Sequence, residues 1–210
     1  KSLENEKQIR KIITDTSMFK THREVDRYML DKLLDLFSVE RTFHIHISEG
    51  NFVISGENSK KELLNFPPDE TLLTKEIGRE LIPESGAVFK VSDVDRDLKN
   101  EELKTVLKQK LGLSSLMVYP TTRFRELYES QKEVIELTLL ANSRPRDWKE
   151  REAKLFKLIM EAVSLVTLEK MQREQVEEIR STFIATLTHD MKSPIMAEQK
   201  ALEFMLSKQP

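Results

Sequence analysis

The sequence predicts an α+β fold: an antiparallel sheet flanked by helices, followed by one long C-terminal helix. Three observations predict it. All five glycines (Gly50, Gly56, Gly78, Gly86 and Gly112) lie in the middle of the 210-residue chain, and no proline precedes Pro67. Residues 43–47 alternate apolar and polar with a period of two. From Arg146 to Ser193 there is neither glycine nor proline, and apolar residues recur every seven positions. Glycine and proline punctuate loops, so helical ends bracket a turn-rich, strand-bearing centre.

The N-terminal part reads as two helices. Ile9, Ile12 and Ile13 give a weak apolar stripe. Thr21-His22-Arg23-Glu24 has capping-box form, and Val25, Met29, Leu33 and Leu36 then follow at helical spacing. Phe43, Ile45 and Ile47 face one way along a strand and His44 and His46 the other. A turn at Gly50 leads to a second strand at Phe52, Val53 and Ile54. Residues 70–81 read as a helix, 87–91 as a strand, and 101–111 as a helix closed by Gly112. Strands follow at 116–119 and 134–140, while residues 121–132 favour neither type.

The last helix is the clearest element. Asp147-Trp148-Lys149-Glu150 has capping-box form, and helix then runs to Ser193. One heptad position takes Leu155, Ala162, Glu169, Val176 and Phe183; the other takes Leu158, Leu165, Gln172 and Ile179. That is a coiled-coil seam with a polar waist at Glu169 and Gln172, and it predicts a parallel homodimer. Ile159, Val166 and Leu187 widen the stripe at its ends.

Composition excludes several classes. The net charge of −2 gives no reason to expect nucleic acid as a partner. No run of eighteen apolar residues exists, so no membrane span is expected. With no cysteine there is no disulfide, thiolate metal site or thioether-linked chromophore in this chain. A cytoplasmic location is expected. The opening Lys-Ser-Leu-Glu-Asn has neither Met nor an apolar signal core, and reads as a piece of a longer protein.

His189, Asp190, Met191, Lys192, Ser193, Pro194 and Ile195 stand near the end of the long helix. Pro194 leaves the Asp190 carbonyl without its helical donor, so a kink is expected one turn after the histidine. This run resembles the H-box of sensor histidine kinases: His, an acid, an apolar residue, a base, a small polar residue, Pro and an apolar residue. The resemblance implies that His189 accepts the γ-phosphoryl group of ATP and passes it to an aspartate of a response regulator. It implies that Asp190 orients His189 and acts as its base. Ser193 lies on the same helical face as His189, where the family often has Thr or Asn assisting dephosphorylation of the regulator. The ATP- and Mg-binding domain of such kinases is not in this sequence, so the chain is expected to accept phosphate without phosphorylating itself.

The middle of the chain resembles a GAF sensor domain, in its order of elements and in the run from Leu137 to Ala141 that leads to Arg146, Asp147, Trp148 and Glu150. The resemblance implies four segments. These are a helical lead-in at 1–20, a GAF-like domain at 21–170, a signalling linker at 171–182, and the first helix of a truncated helical-bundle phosphoacceptor domain at 183–210. It also implies a ligand pocket between sheet and central helices, near residues 72–91 and 104–111. A covalent bilin is excluded for want of cysteine, and another ligand is left unidentified. His44 and His46 share a strand face, read as a polar outer face rather than a metal site. Trp148 reads as packing at the helix start. Lys104, Lys108 and Lys110 read as a solvated face, and Met171 and Met191 as core or seam. Two alternatives stand beside the kinase reading: a ligand-free GAF dimerisation scaffold, and a small-ligand-binding GAF regulator of an unrelated enzyme.

Overall fold

A computed structural model describes residues 2–48, 50–60, 71–82, 87–127 and 130–207. The chain divides into two units, Lys1–Leu168 and Glu169–Pro210. In the first, six strands form one sheet in the order β3-β2-β1-β6-β5-β4, every neighbouring pair antiparallel. The strands are β1 (Arg41–Ser48), β2 (Asn51–Ser59), β3 (Thr71–Thr74), β4 (Phe89–Val91), β5 (Ser115–Leu127) and β6 (Ser130–Asn142). Helices α1 (Ser2–Met18) and α2 (His22–Leu36) precede the sheet. Short helices α3 (Lys75–Gly78), α4 (Val94–Asp97) and α5 (Glu101–Thr105) lie within it in sequence, and α6 (Glu150–Ser207) follows.

Alternation along the central strands builds two cores. Phe43, Ile45 and Ile47 of β1, with Leu116, Val118, Leu137 and Leu139, pack with Val94, Leu98, Leu103, Leu107 and Leu111. The opposite face carries Met117, Tyr119 and Leu140, packed with Ile12 of α1, Val25, Met29 and Leu33 of α2, and Phe156, Ile159 and Val163 of α6. The sheet is thus covered on both faces, as a three-layer domain requires.

Local chemistry sets the elements. Thr21 Oγ1 accepts from Glu24 N at 3.3 Å while Glu24 Oε2 accepts from Thr21 N at 3.1 Å, the reciprocal capping box expected. A bulge shapes β2. Ser55 falls between the pairs His44↔Gly56 and Ile45↔Ile54, and its hydroxyl donates to His44 O at 3.1 Å. Gly56 gives α2 room, since a Cβ there would lie 3.0 Å from Leu30. Gly112, at φ +65, ends the helical turns after α5, where Leu111 N donates to Val106 O and Leu113 N to Leu107 O.

Three expectations change. Residues 71–74 are strand, not helix: Phe52↔Leu73 and Val53↔Thr71 pair β3 with β2, and helix begins only at Lys75. Helix α5 gives way after Thr105 to wider turns over Val106–Lys110. The start of α6 lies at Glu150, and the residue that reaches back is Glu152, whose carboxylate accepts from Lys149 N at 2.9 Å. Trp148 is held in the core and Arg146 N donates to Ser92 O, so the chain enters the helix after these anchors. Of the ambiguous stretch 121–132, residues 121–127 belong to β5 and 130–132 to β6, in register from Ser115↔Asn142 to Leu127↔Ser130; residues 128–129 fall outside the described residues.

Helix α6 is 58 residues long, about 87 Å at 1.5 Å per residue. Its backbone continues past Pro194 to Ser207. Within the first unit it has two faces. Ala153, Phe156, Ile159, Met160 and Val163 are buried, whereas Leu158 and Leu165 are exposed. Ile159 therefore belongs to the domain core, not to a widened seam.

Candidate functional site

His189 lies on α6 in the second unit, and its ring is exposed. Asp190 and Ser193 occupy the same helix; their side chains fall outside the described residues. Around the histidine, Phe183 (62%), Ile184 (51%) and Leu187 (44%) are exposed apolar residues, with Val176 and Ile179 preceding them. Thr186 and Thr188 hydroxyls donate to the carbonyls of Thr182 and Ile184, at 3.0 and 2.8 Å. Both bonds run along the helix itself.

The region expected to hold a ligand is filled at its centre. Leu72, Leu73, Leu81, Val91, Leu103, Leu107 and Leu111 pack with Phe43 and Phe52. Residues 83–86, inside the expected lining, fall outside the described residues. An open groove lies beside this core, lined by Glu76, Ile77, Arg79, Glu80, Lys99 and Asn100. Its floor is organised by Glu80, whose carboxylate oxygens accept from Lys99 N at 2.9 Å and Asn100 N at 3.1 Å. Lys104, with its side chain only 16% exposed, pairs with Glu101 at 2.7 Å, and the more exposed Lys108 pairs with Asp95.

The entry to α6 is anchored to the sheet edge. Trp148 is 4% exposed, and its Nε1 donates to Val91 O of β4 at 3.1 Å. The Arg146 guanidinium lies 4.4 Å from the centre of that indole. Its Nη2 donates to Phe37 O at 2.9 Å and Glu152 Oε1 at 2.7 Å. One arginine therefore joins the end of α2 to the first turn of α6, and Trp148 is packing, as the sequence suggests.

The site that sequence reasoning missed is on the other sheet face. His44 is 8% exposed, so its strand face is not an outer one. Its Nδ1 lies 3.8 Å from Asp26 Oδ2 of α2 and its Nε2 3.4 Å from Glu136 Oε2 of β6. A cavity of about 20 Å³, room for one water, adjoins it, lined in part by Thr138, Ser164 and Thr167. Ser164 and Thr167 hydroxyls donate to Met160 O and Val163 O, which turns their lone pairs to any further donor. The alternation of His44 and His46 marked a second strand face, but nothing local to β1 signals that α2 and α6 cover it. Among the described residues, no group of three or more His, Asp or Glu is placed to hold a metal ion. No helix among them is long and apolar enough to cross a membrane.

No family model matches the sequence, and no curated protein matches it. Solved structures do match the fold. The phycoerythrobilin-bound GAF domain of a cyanobacterial phytochrome aligns with a TM-score of 0.61 at 15% identity, over 81% of this chain and 97% of that one. Its phycocyanobilin-bound counterpart gives 0.62 at 15%, over 80% and 96%. The GAF domain of an Acinetobacter phosphoenolpyruvate-protein phosphotransferase gives 0.54 at 12%, over 79% and 93%. With a six-stranded antiparallel sheet between α1, α2 and α6 on one face and α3–α5 on the other, the chain has an α+β, GAF-like fold.

Proposed function

We propose that the chain is the sensory and phosphoacceptor portion of a two-component histidine kinase, with His189 as the phosphorylated residue. The observation that carries this reading is the seven-residue run His189–Ile195 on the same helix that leaves a GAF-like domain. An exposed imidazole on a helix is accessible to in-line attack on a γ-phosphoryl group, and Asp190 next to it is the candidate base and orienting group. Ser193, one turn on, is the candidate for dephosphorylation of a response regulator. ATP and Mg would be bound by a separate domain. The GAF-like domain then senses a signal, and a change in its packing reaches His189 through α6.

Two copies pair in parallel along α6 in this reading. Leu158 and Leu165 in the first unit, and Val176, Ile179 and Phe183 in the second, are exposed at the heptad positions. Solvent-exposed leucine and phenylalanine at that spacing favour a helical partner with the same spacing. The polar waist, Glu169 and Gln172, would let the pair adjust its register.

The test is phosphoryl transfer. The 210-residue chain incubated with ATP and Mg should take up no phosphate. Mixed with the ATP-binding domain of its own full-length protein, it should gain one acid-labile phosphate per chain, and H189Q should gain none. Labelling that persists in H189Q would overturn the assignment.

A further inference from the structure

We propose that Asp26, His44 and Glu136 form a proton-responsive clasp that sets how firmly α2 and α6 are held on the sheet. Both ring nitrogens of His44 face a carboxylate, at 3.8 Å on α2 and 3.4 Å on β6. A neutral imidazole has one N–H and one lone pair, so it serves one carboxylate and opposes the other. The imidazolium carries an N–H on both nitrogens and a positive charge that faces both carboxylates. The side chains are only 11%, 23% and 13% exposed for His44, Asp26 and Glu136, so water screens the mismatch poorly.

α6 offers Ser164 and Thr167 at the cavity, both uncharged, and β6 adds Thr138. Gly56 of β2 lies opposite His44. His46, paired across the strands with Glu136, is a further titratable neighbour. Protonation adds one N–H bond to His44, with the proton taken from solvent, and changes no other bond. Raising the pH removes that proton and leaves a lone pair facing a carboxylate beneath α6. The folded packing is therefore tightest while the imidazole is protonated and both carboxylates are ionised, and it loosens as the pH rises beyond the ordinary imidazole range, about pH 6.5. The stretch of α6 concerned, Met160 to Thr167, is the one that lines the cavity. The clasp lies on the sheet face opposite the expected ligand pocket and is independent of the role of His189.

The experiment is hydrogen exchange of the full chain at about pH 5.5 and about pH 8.5, corrected for intrinsic rates. Peptides covering Phe156 to Thr167 should lose protection about tenfold between the two in the wild type and in H46Q. H44Q should lose less than about twofold. E136Q, which keeps the side-chain volume and removes one carboxylate, should also shrink the loss, and it decides the matter should H44Q not fold. A wild-type chain with no loss, or E136Q or folded H44Q with the full wild-type loss, would overturn the proposal.

Discussion

Single side chains show how closely this domain is fitted. A Cβ at Gly78 would fall under 3.0 Å from Leu73 and Phe52, whose ring is fully buried. Gly78→Ala should destabilise the chain by about 1–3 kcal/mol, read from the midpoint of urea unfolding. Trp148→Phe keeps most of the packing and leaves Val91 O without its indole donor, so a loss of about 1–2 kcal/mol should appear in the same measurement. Tyr28 donates its phenol proton to Asp15 at 2.5 Å; burial first, then this bond, pushes its pKa up, and burial also raises that of Tyr119. A raised phenol binds its proton more tightly in the folded chain. Stability is therefore unaffected below the ordinary phenol range, about 10, and falls as the pH rises above it. Absorbance at alkaline pH should show Tyr28 and Tyr119 ionising above the ordinary phenol range.

Elements differ in how much of their origin is local. The capping box of α2 is complete within four residues, so Thr21 and Glu24 were legible; Thr21→Ala should cost about 1 kcal/mol in urea unfolding. The Glu24 carboxyl is held below its usual value chiefly by the backbone N–H groups of Thr21 and Lys20. Its support of α2 is thus present above the ordinary carboxylate range and lost as the pH falls. β1 was legible because its two-residue period needs no partner to be seen. β3 was not: Leu73, Ile77 and Leu81 recur every four residues, and only the pairing with β2 makes Thr71–Thr74 a strand. The β5–β6 hairpin carries charged residues on both strands beyond Thr121, so no alternation announced it. At α6 the local capping pattern lost to a distant one, because Val91 and Ser92 hold Trp148 and Arg146 in place. The same locality explains the site. His189 was found from its immediate neighbours, whereas the His44 clasp draws on three elements far apart in sequence.

At the scale of the molecule, the proposed pairing of copies predicts a change in mass. Leu165 is 71% exposed within the single chain, so L165E should leave the fold of that chain intact by circular dichroism. With a second charge from I179E, sedimentation should shift from dimer to monomer. A double variant that stays dimeric would place the interface elsewhere. The two outermost strands of the sheet, β3 and β4, are four and three residues long, while the β5–β6 hairpin at thirteen residues per strand has its longest pairing inside the sheet. The outer two cover little of their neighbours: β4 pairs only with Leu116–Val118 of β5, and β3 only with Asn51–Val53 of β2. Among the described residues, β5 from Tyr119 to Leu127 therefore has β6 alone as a strand neighbour, and a lateral strand would add there rather than along β3 or β4.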